Sequence, residues 1–469
     1  MAIVQKIKYN SNNQYFAGFL QDIITKSEID GSVEFENNII TLILDDKDSK
    51  ALERFSELSN RYLPHSIFLD TINTTVEDIE IKKEKFVSDP YNIAPCPQCL
   101  ASITDPSSEH YLDDGYVCKH YSNDTAFYDN DSTFFTPHYT DGCAVLLADA
   151  TKIDELFIMT QKEKETLFSI EKPTIKVTIA DTELKELTGK TYINIKAPYN
   201  VRSTLFALNA KDSEIPYIFF QDTSDLKVIK VQENTTITRA TRVAKECEVL
   251  DEDKTISRFL NIMEEAKFKN IAIGANLSYT NGISFIVKTE VGTKKAIKFQ
   301  EFDLNSVITQ MENDETRSKL LANFTKKYPA IKDILANGKF DLFETLCVVL
   351  DIDKPSFESL SDKALEFRGN GGLKVDIDFI EDRVDYSSII GSVMSFILAG
   401  AERHYIAYSI FEAFGDMTIS TLNQIKKKFK IENVIMMGDM FENSVLYSRI
   451  LSKYQLANPY FSKDIALDD

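Results

Sequence analysis

Residues 96–121 read CPQCLASITDPSSEHYLDDGYVCKHY, and the same residue types return at 138–143 as HYTDGC. Cys96 and Cys99 are separated by two residues, which places two thiolates on one tight loop. Cys118 follows after eighteen more, the spacing at which two knuckles share one tetrahedral ion. A complete site would carry cysteine at position 121; the chain has Tyr121 there, with His120 beside it. Four of the six cysteines and three of the five histidines lie between Cys96 and Cys143, so the chemistry of this stretch is metal or redox.

The pattern predicts a structural zinc held by Cys96, Cys99, Cys118 and His120. Cys143, His138 and His110 are the alternatives for the fourth position. A decayed knuckle with ordinary thiols is the plain alternative. A catalytic zinc needs three ligands, a water and a nearby base, and no such base stands out.

The whole chain bounds what this site serves. At 469 residues it is too long for one core, and roughly 100 to 200 residues per domain gives three or four units. With 43% hydrophobic and 11% aromatic residues it has the composition of a folded protein. A net charge of −20 argues against nucleic acid as a general partner, since phosphate binding needs a concentrated basic face. The one basic run, Lys426–Lys430, ends a helical pattern, where lysines suit the helix dipole. The N-terminus lacks an apolar signal core, and the nearest approach to a membrane helix, the uncharged stretch Tyr386–Ala401, is too short to span a bilayer. The expected location is therefore cytoplasmic, without membrane insertion, where clustered cysteines bind metal more often than they form disulfides.

On the N-terminal side of the cysteines, residues 1–88 alternate as strand, helix, two strands about Asn37-Asn38, helix and strand, the ferredoxin-like order. On the other side, residues 142–250 read as α/β. There 143–150 is strand-like, 151–167 a helix, and TIKVTI, YINIKA and IPYIFFQ are short strands. LTGKTY at 187–192 lacks the upstream glycine of a phosphate loop and reads as a turn. Residues 251–469 begin with a helix and a β-meander turning at Asn281-Gly282. A long helical region follows, then a strand, a turn at Gly438-Asp439 and a helix starting near Asn443. A phosphate could sit at that turn, but the Asp439 carboxylate would repel it.

The stretch IAPCPQCLASITDP (93–106) with its spacing to Cys118 resembles the hydrogenase-maturation carbamoyltransferases of the HypF type. Supporting stretches are LPHSIFLDTI, SIEKPTIKVTI, KAPYNVRSTLFALNAKDSEIPYIFF, AIGANLSYTNG, SFESLSDKAL and GDMFENSVLYSRI. The resemblance implies an α/β and α+β multidomain chain. Its parts would be an acylphosphatase-like (ferredoxin-like) domain at 1–88, a zinc-ribbon-like segment at 89–141, a YrdC-like remnant at 142–250 and a Kae-like domain of the actin/Hsp70 ATPase class at 251–469.

Departures from the family run in one direction. The first domain has NSNNQYFAGF where the family has a glycine-rich loop ending in arginine, and FQDTSD (220–225) replaces a nucleotide motif. The Kae-like part has His404 as its single histidine. Ser278-Tyr279 replaces a Lys-Asn pair, Gly438-Asp439 a Gly-Gly, and Phe461–Asp464 the closing Asn-Asp-Gly-Gly. The nucleotide-binding candidates that remain are Glu358, Gly438 and Asn443. The resemblance then implies a shortened, catalytically degenerate relative that does not use ATP. Its partner would be the large subunit or another accessory protein of a nickel-iron hydrogenase. The alternative is an enzyme with residual nucleotide-dependent carbamoyl or acyl transfer at the Kae-like cleft.

Overall fold

The computed structural model describes residues 1–9, 11, 13–82, 84–88, 94–118, 121, 134–221, 227–231, 234–239, 247–380, 383–453, 459–462, 465 and 468. His120, most of FQDTSD, and Lys463-Asp464 lie outside the described residues. The chain forms two compact units, the first holding Met1–Val228 and the second Ala244–Asp469.

In the first unit, β1 (Ala2–Tyr9), α1 (Tyr15–Ser27), β2 (Gly31–Glu36), β3 (Ile39–Asp45), α2 (Ser49–Tyr62) and β4 (Leu69–Glu77) follow in order. The strands pair antiparallel as β2-β3-β1-β4, the ferredoxin-like arrangement. Asn37 and Asn38 both have positive φ, as a two-residue hairpin requires, and asparagine tolerates it. Apolar residues of α1 recur at helical spacing, so Phe16, Phe19, Leu20, Ile23 and Ile24 share its buried face. Tyr9, at the end of β1, stacks on Phe16 at 5.7 Å and meets Phe68 edge-on. The Asp48 carboxylate starts α2 by accepting the N–H groups of Lys50 and Ala51.

Further along the same unit, Thr174–Ile179 pairs antiparallel with Tyr192–Lys196, which runs parallel to Cys143–Leu147. Tyr217–Gln221 then pairs antiparallel with Cys143–Leu147. The helix expected over 151–167 is broken. Phe157–Ile158 pairs as a strand with Ile179 and Thr178, and a new helix, Gln161–Leu167, starts at a Thr160–Glu163 capping box.

The second unit carries a five-stranded sheet. Gly292–Lys298, Ile283–Thr289 and Ala272–Leu277 form the antiparallel meander; Val434–Met437 and Tyr460–Phe461 extend it in parallel. One sheet face and the helices from Leu304 to Lys453 enclose the large core around Phe285, Phe324, Leu346, Ile389, Phe411 and Phe414. Tyr386–Leu398 is one of these buried helices, and among the described residues no helix is long and apolar enough to cross a membrane. The longest helix, Arg403–Phe429, ends on left-handed Lys430 with Lys426, Lys427 and Lys428 in its last turn, as its dipole favours.

Candidate functional sites

Pro97 at the first position and Cys96 as the cap start α3 (Pro97–Thr104), so Cys99 projects from the first turn back beside Cys96. Cys118 returns to the same place. The three sulfurs lie within 4.8 Å of one another and are buried, and none of the six cysteines is disulfide-bonded. Backbone N–H groups point at the sulfurs: Cys99 N–H donates to Cys96 Sγ at 3.4 Å, and Cys118 Sγ accepts from Cys96 N–H and Tyr121 N–H, both at 3.3 Å. Such bonds stabilise thiolate charge, and three converging thiolates suit a soft, tetrahedral ion such as zinc.

Tyr121 holds in the second turn the place that Cys99 holds in the first, since its N–H donates to Cys118 as that of Cys99 donates to Cys96. Its side chain turns to the N-terminal sheet domain. The hydroxyl donates to the Tyr62 carbonyl at 2.8 Å and the ring packs 5.4 Å from Phe19. The N–H bond to the Cys118 sulfur is thus kept while the Tyr121 side chain fastens the knuckle to α1 and α2. Tyr116, not anticipated from the sequence, directs its hydroxyl to Cys99 Sγ at 3.5 Å. Burial, with the thiols around them, pushes both tyrosine hydroxyls well above their ordinary range, so both stay protonated donors.

Among the described residues no further His, Cys, Asp or Glu joins the trio. The His110 ring packs tilted against Tyr116 at 4.7 Å and lies near Glu109 and Asp113. His138 donates its backbone N–H to the Thr136 hydroxyl at 3.1 Å, and the Cys143 thiol meets the Thr140 hydroxyl at 3.0 Å.

The second candidate site lies where Ala272–Leu277 and Val434–Met437 end side by side. Gly438 has φ +104, and a Cβ there would fall 2.2 Å from the Leu277 carbonyl oxygen, so glycine is required by backbone approach. Asp439 faces the loop after Leu277: it accepts Tyr279 N–H at 2.9 Å and the Thr280 hydroxyl at 3.0 Å. Burial, reinforced by Asp468 and Glu442, pushes its carboxyl up to about 7. Asn443 is also engaged, capping the helix Ser444–Lys453 through Leu446 N–H and donating to Ser361 Oγ at 2.7 Å. Glu358 is exposed in the first turn of Phe357–Leu365, where Tyr279 stacks on Phe357 at 4.4 Å. His404 lies 3.1 Å from Glu402 at the start of its helix.

No family model matches the chain. In sequence it is similar to Protein HydE of Wolinella succinogenes, 22% identical over 343 residues; the match takes in 65% of this chain and 62% of that protein, under two-thirds of the relative's length. In structure it superposes on full-length HypF in its phosphate- and nucleotide-bound form with a TM-score of 0.57 at 12% identity, covering 100% of this chain and 96% of the other. HypF of T. kodakarensis matches at a TM-score of 0.62 and 11% identity, covering 100% and 97%. The fold is the HypF fold. The chain is thus HydE-like in sequence and HypF-like in its full-length, mixed α/β architecture, in agreement with the resemblance read around Cys96.

Proposed function

We propose that this protein is an accessory factor for the maturation or assembly of a nickel-iron hydrogenase, a HypF-like scaffold or binding factor that has lost carbamoyl transfer. The observation that carries this reading is the joint likeness to HydE in sequence and to HypF along the whole chain in fold. Its partners are the hydrogenase large subunit or other accessory proteins, and its place is the cytoplasm. Residues 1–88 act as the acylphosphatase-like part, 89–141 as the zinc-finger-like part, 142–250 as a YrdC-like remnant and 251–469 as the Kae-like domain. Cys96, Cys99 and Cys118 hold a structural zinc, with His120 as the fourth ligand. The engagement of Asp439 and Asn443 in protein bonds supports the loss of nucleotide chemistry.

Deleting the gene should lower hydrogenase activity. Unchanged activity, nickel content and large-subunit processing together would remove the proposal. The competing reading, residual nucleotide-dependent transfer, draws on the nucleotide-bound HypF of the same fold. Calorimetry with magnesium and ATP separates the two, and clear micromolar binding would favour the enzyme.

A further inference from the structure

Glu171 follows the helix Gln161–Leu167, yet its carboxylate is buried in the N-terminal sheet domain and only 4% of the residue is exposed. Tyr15, the first residue of α1, donates its hydroxyl to Oε1 at 2.7 Å, and the Ser66 hydroxyl donates to the same oxygen. Ile67 N–H donates to Oε2 at 3.1 Å. The Ser66 hydroxyl oxygen in turn accepts Phe68 N–H, which leaves its proton for the carboxylate. Beside the carboxylate, Ile170 N–H donates to the His65 carbonyl at 2.9 Å and straps the segment in place. Tyr15, Ser66 and Ile67 all belong to the N-terminal sheet domain, and the acceptor comes from a segment about a hundred residues later.

This donor set is larger than its occupant. The Tyr9 hydroxyl is fully buried and makes no hydrogen bond, although the Glu171 charge, Tyr15 and Ser66 are the polar groups around it. Native structures seldom leave a buried hydroxyl unpaired without a reason, and phenylalanine would fill the same space if Glu171 were the only group to be served. The bound donors are neutral, so they suit a monoanion. Burial, with the Glu171 charge next, raises Tyr9 and Tyr15 well above the usual tyrosine range, so both remain protonated.

We propose that Tyr9, Tyr15, Ser66 and the Ile67 N–H form a binding site for a small oxyanion, a carboxylate, bicarbonate or phosphate monoanion, and that Glu171 is its built-in competitor. An anion with a third oxygen can reach the Tyr9 hydroxyl, which the Glu171 carboxylate leaves unused. Entry of the anion requires the segment Ser169–Glu171 to withdraw from His65–Ile67. Anion binding and docking of that segment therefore oppose each other, each weakening the other by the same factor.

The test uses the full chain with Glu171→Ala and follows thermal unfolding against sodium acetate and sodium phosphate, each matched by sodium chloride. Acetate and phosphate should raise the variant's Tm saturably, by roughly 2 °C or more above chloride, and leave the unmodified chain at the chloride level. Adding Ser66→Ala should abolish the response, and adding Tyr9→Phe should remove any advantage of phosphate over acetate. A response no greater than chloride overturns the site. If Glu171→Ala does not fold in buffer, refolding in acetate but not in chloride supports the site, and failure in both overturns it. Tyr9→Phe alone should leave Tm unchanged or raise it, and a fall would show that the hydroxyl is bonded and would overturn the spare donor.

Discussion

Replacing Gly438 by alanine tests whether this position serves packing. The residue sits at φ +104 and ψ 146, a region nearly closed to side chains, and occupying it costs about 1–3 kcal/mol. The new Cβ would lie 2.2, 2.4 and 2.8 Å from the oxygen, carbon and nitrogen of Leu277. All three are backbone atoms, so no rotamer change relieves the clash. The strand Val434–Met437 must instead move away from its parallel partner, where Met437 faces Asn276 and Ile435 and Met437 are wholly buried. Overpacking of this kind costs about 1–3 kcal/mol more, for a total of about 2–6 kcal/mol. Gly189→Ala is the control: its φ is +66 and a Cβ there meets nothing within 4 Å, so it should cost only about 1–2 kcal/mol. Urea unfolding followed by circular dichroism, with hydrogen exchange to locate the change, measures both variants. If Gly438→Ala is no more destabilising than Gly189→Ala, the close approach to Leu277 is not what fixes glycine at this turn.

Purified protein should contain about one zinc per chain, and Cys96→Ser or Cys118→Ser should lose it and expose residues 94–121 to proteolysis, because the ion supplies on the order of 10 kcal/mol in isolated zinc fingers; a metal-free but proteolytically resistant wild type would refute the zinc assignment. Tyr121→Phe removes only the hydroxyl bonded to the Tyr62 carbonyl. It should lower stability by about 1 kcal/mol in chemical unfolding and leave metal content unchanged. For Asp439, burial raises the folded carboxyl from the usual 3.8 to about 7, so the native state holds its proton after the unfolded chain has released it. Stability should then fall as pH rises from about 4 to 7, by up to about 4 kcal/mol, and be level above that window. Asp439→Asn should flatten this part of the pH profile; an unchanged slope would mean that Asp439 is not the titrating group.

Short-range signals made much of the fold and the thiol site readable. Asn37-Asn38 marks a hairpin because both residues accept positive φ, and Cys96-Pro97-Gln98-Cys99 forms a knuckle because proline starts the helix that returns the second thiol. Reading 151–167 as one helix failed where a longer-range term won: Phe157 and Ile158 gain a strand partner at 178–179, and Thr160 with Glu163 restarts the helix. That capping box was visible in the sequence; the strand pairing was not. Glu171 was illegible for a related reason. A glutamate in SIEKP reads as solvated, and its partner Tyr15 lies 156 residues away.

The bond from Tyr121 to the Tyr62 carbonyl also bears on how the chain is born. The sheet domain that supplies Tyr62 and Phe19 precedes the cysteines, so during synthesis it can fold first and present a finished surface. Once Tyr121 leaves the ribosome, all three thiols are available and the knuckle can close against that surface before the strand Cys143–Leu147 emerges. Metal capture then belongs to an early interval of translation. The interval ends before Glu171 emerges to seal the same domain.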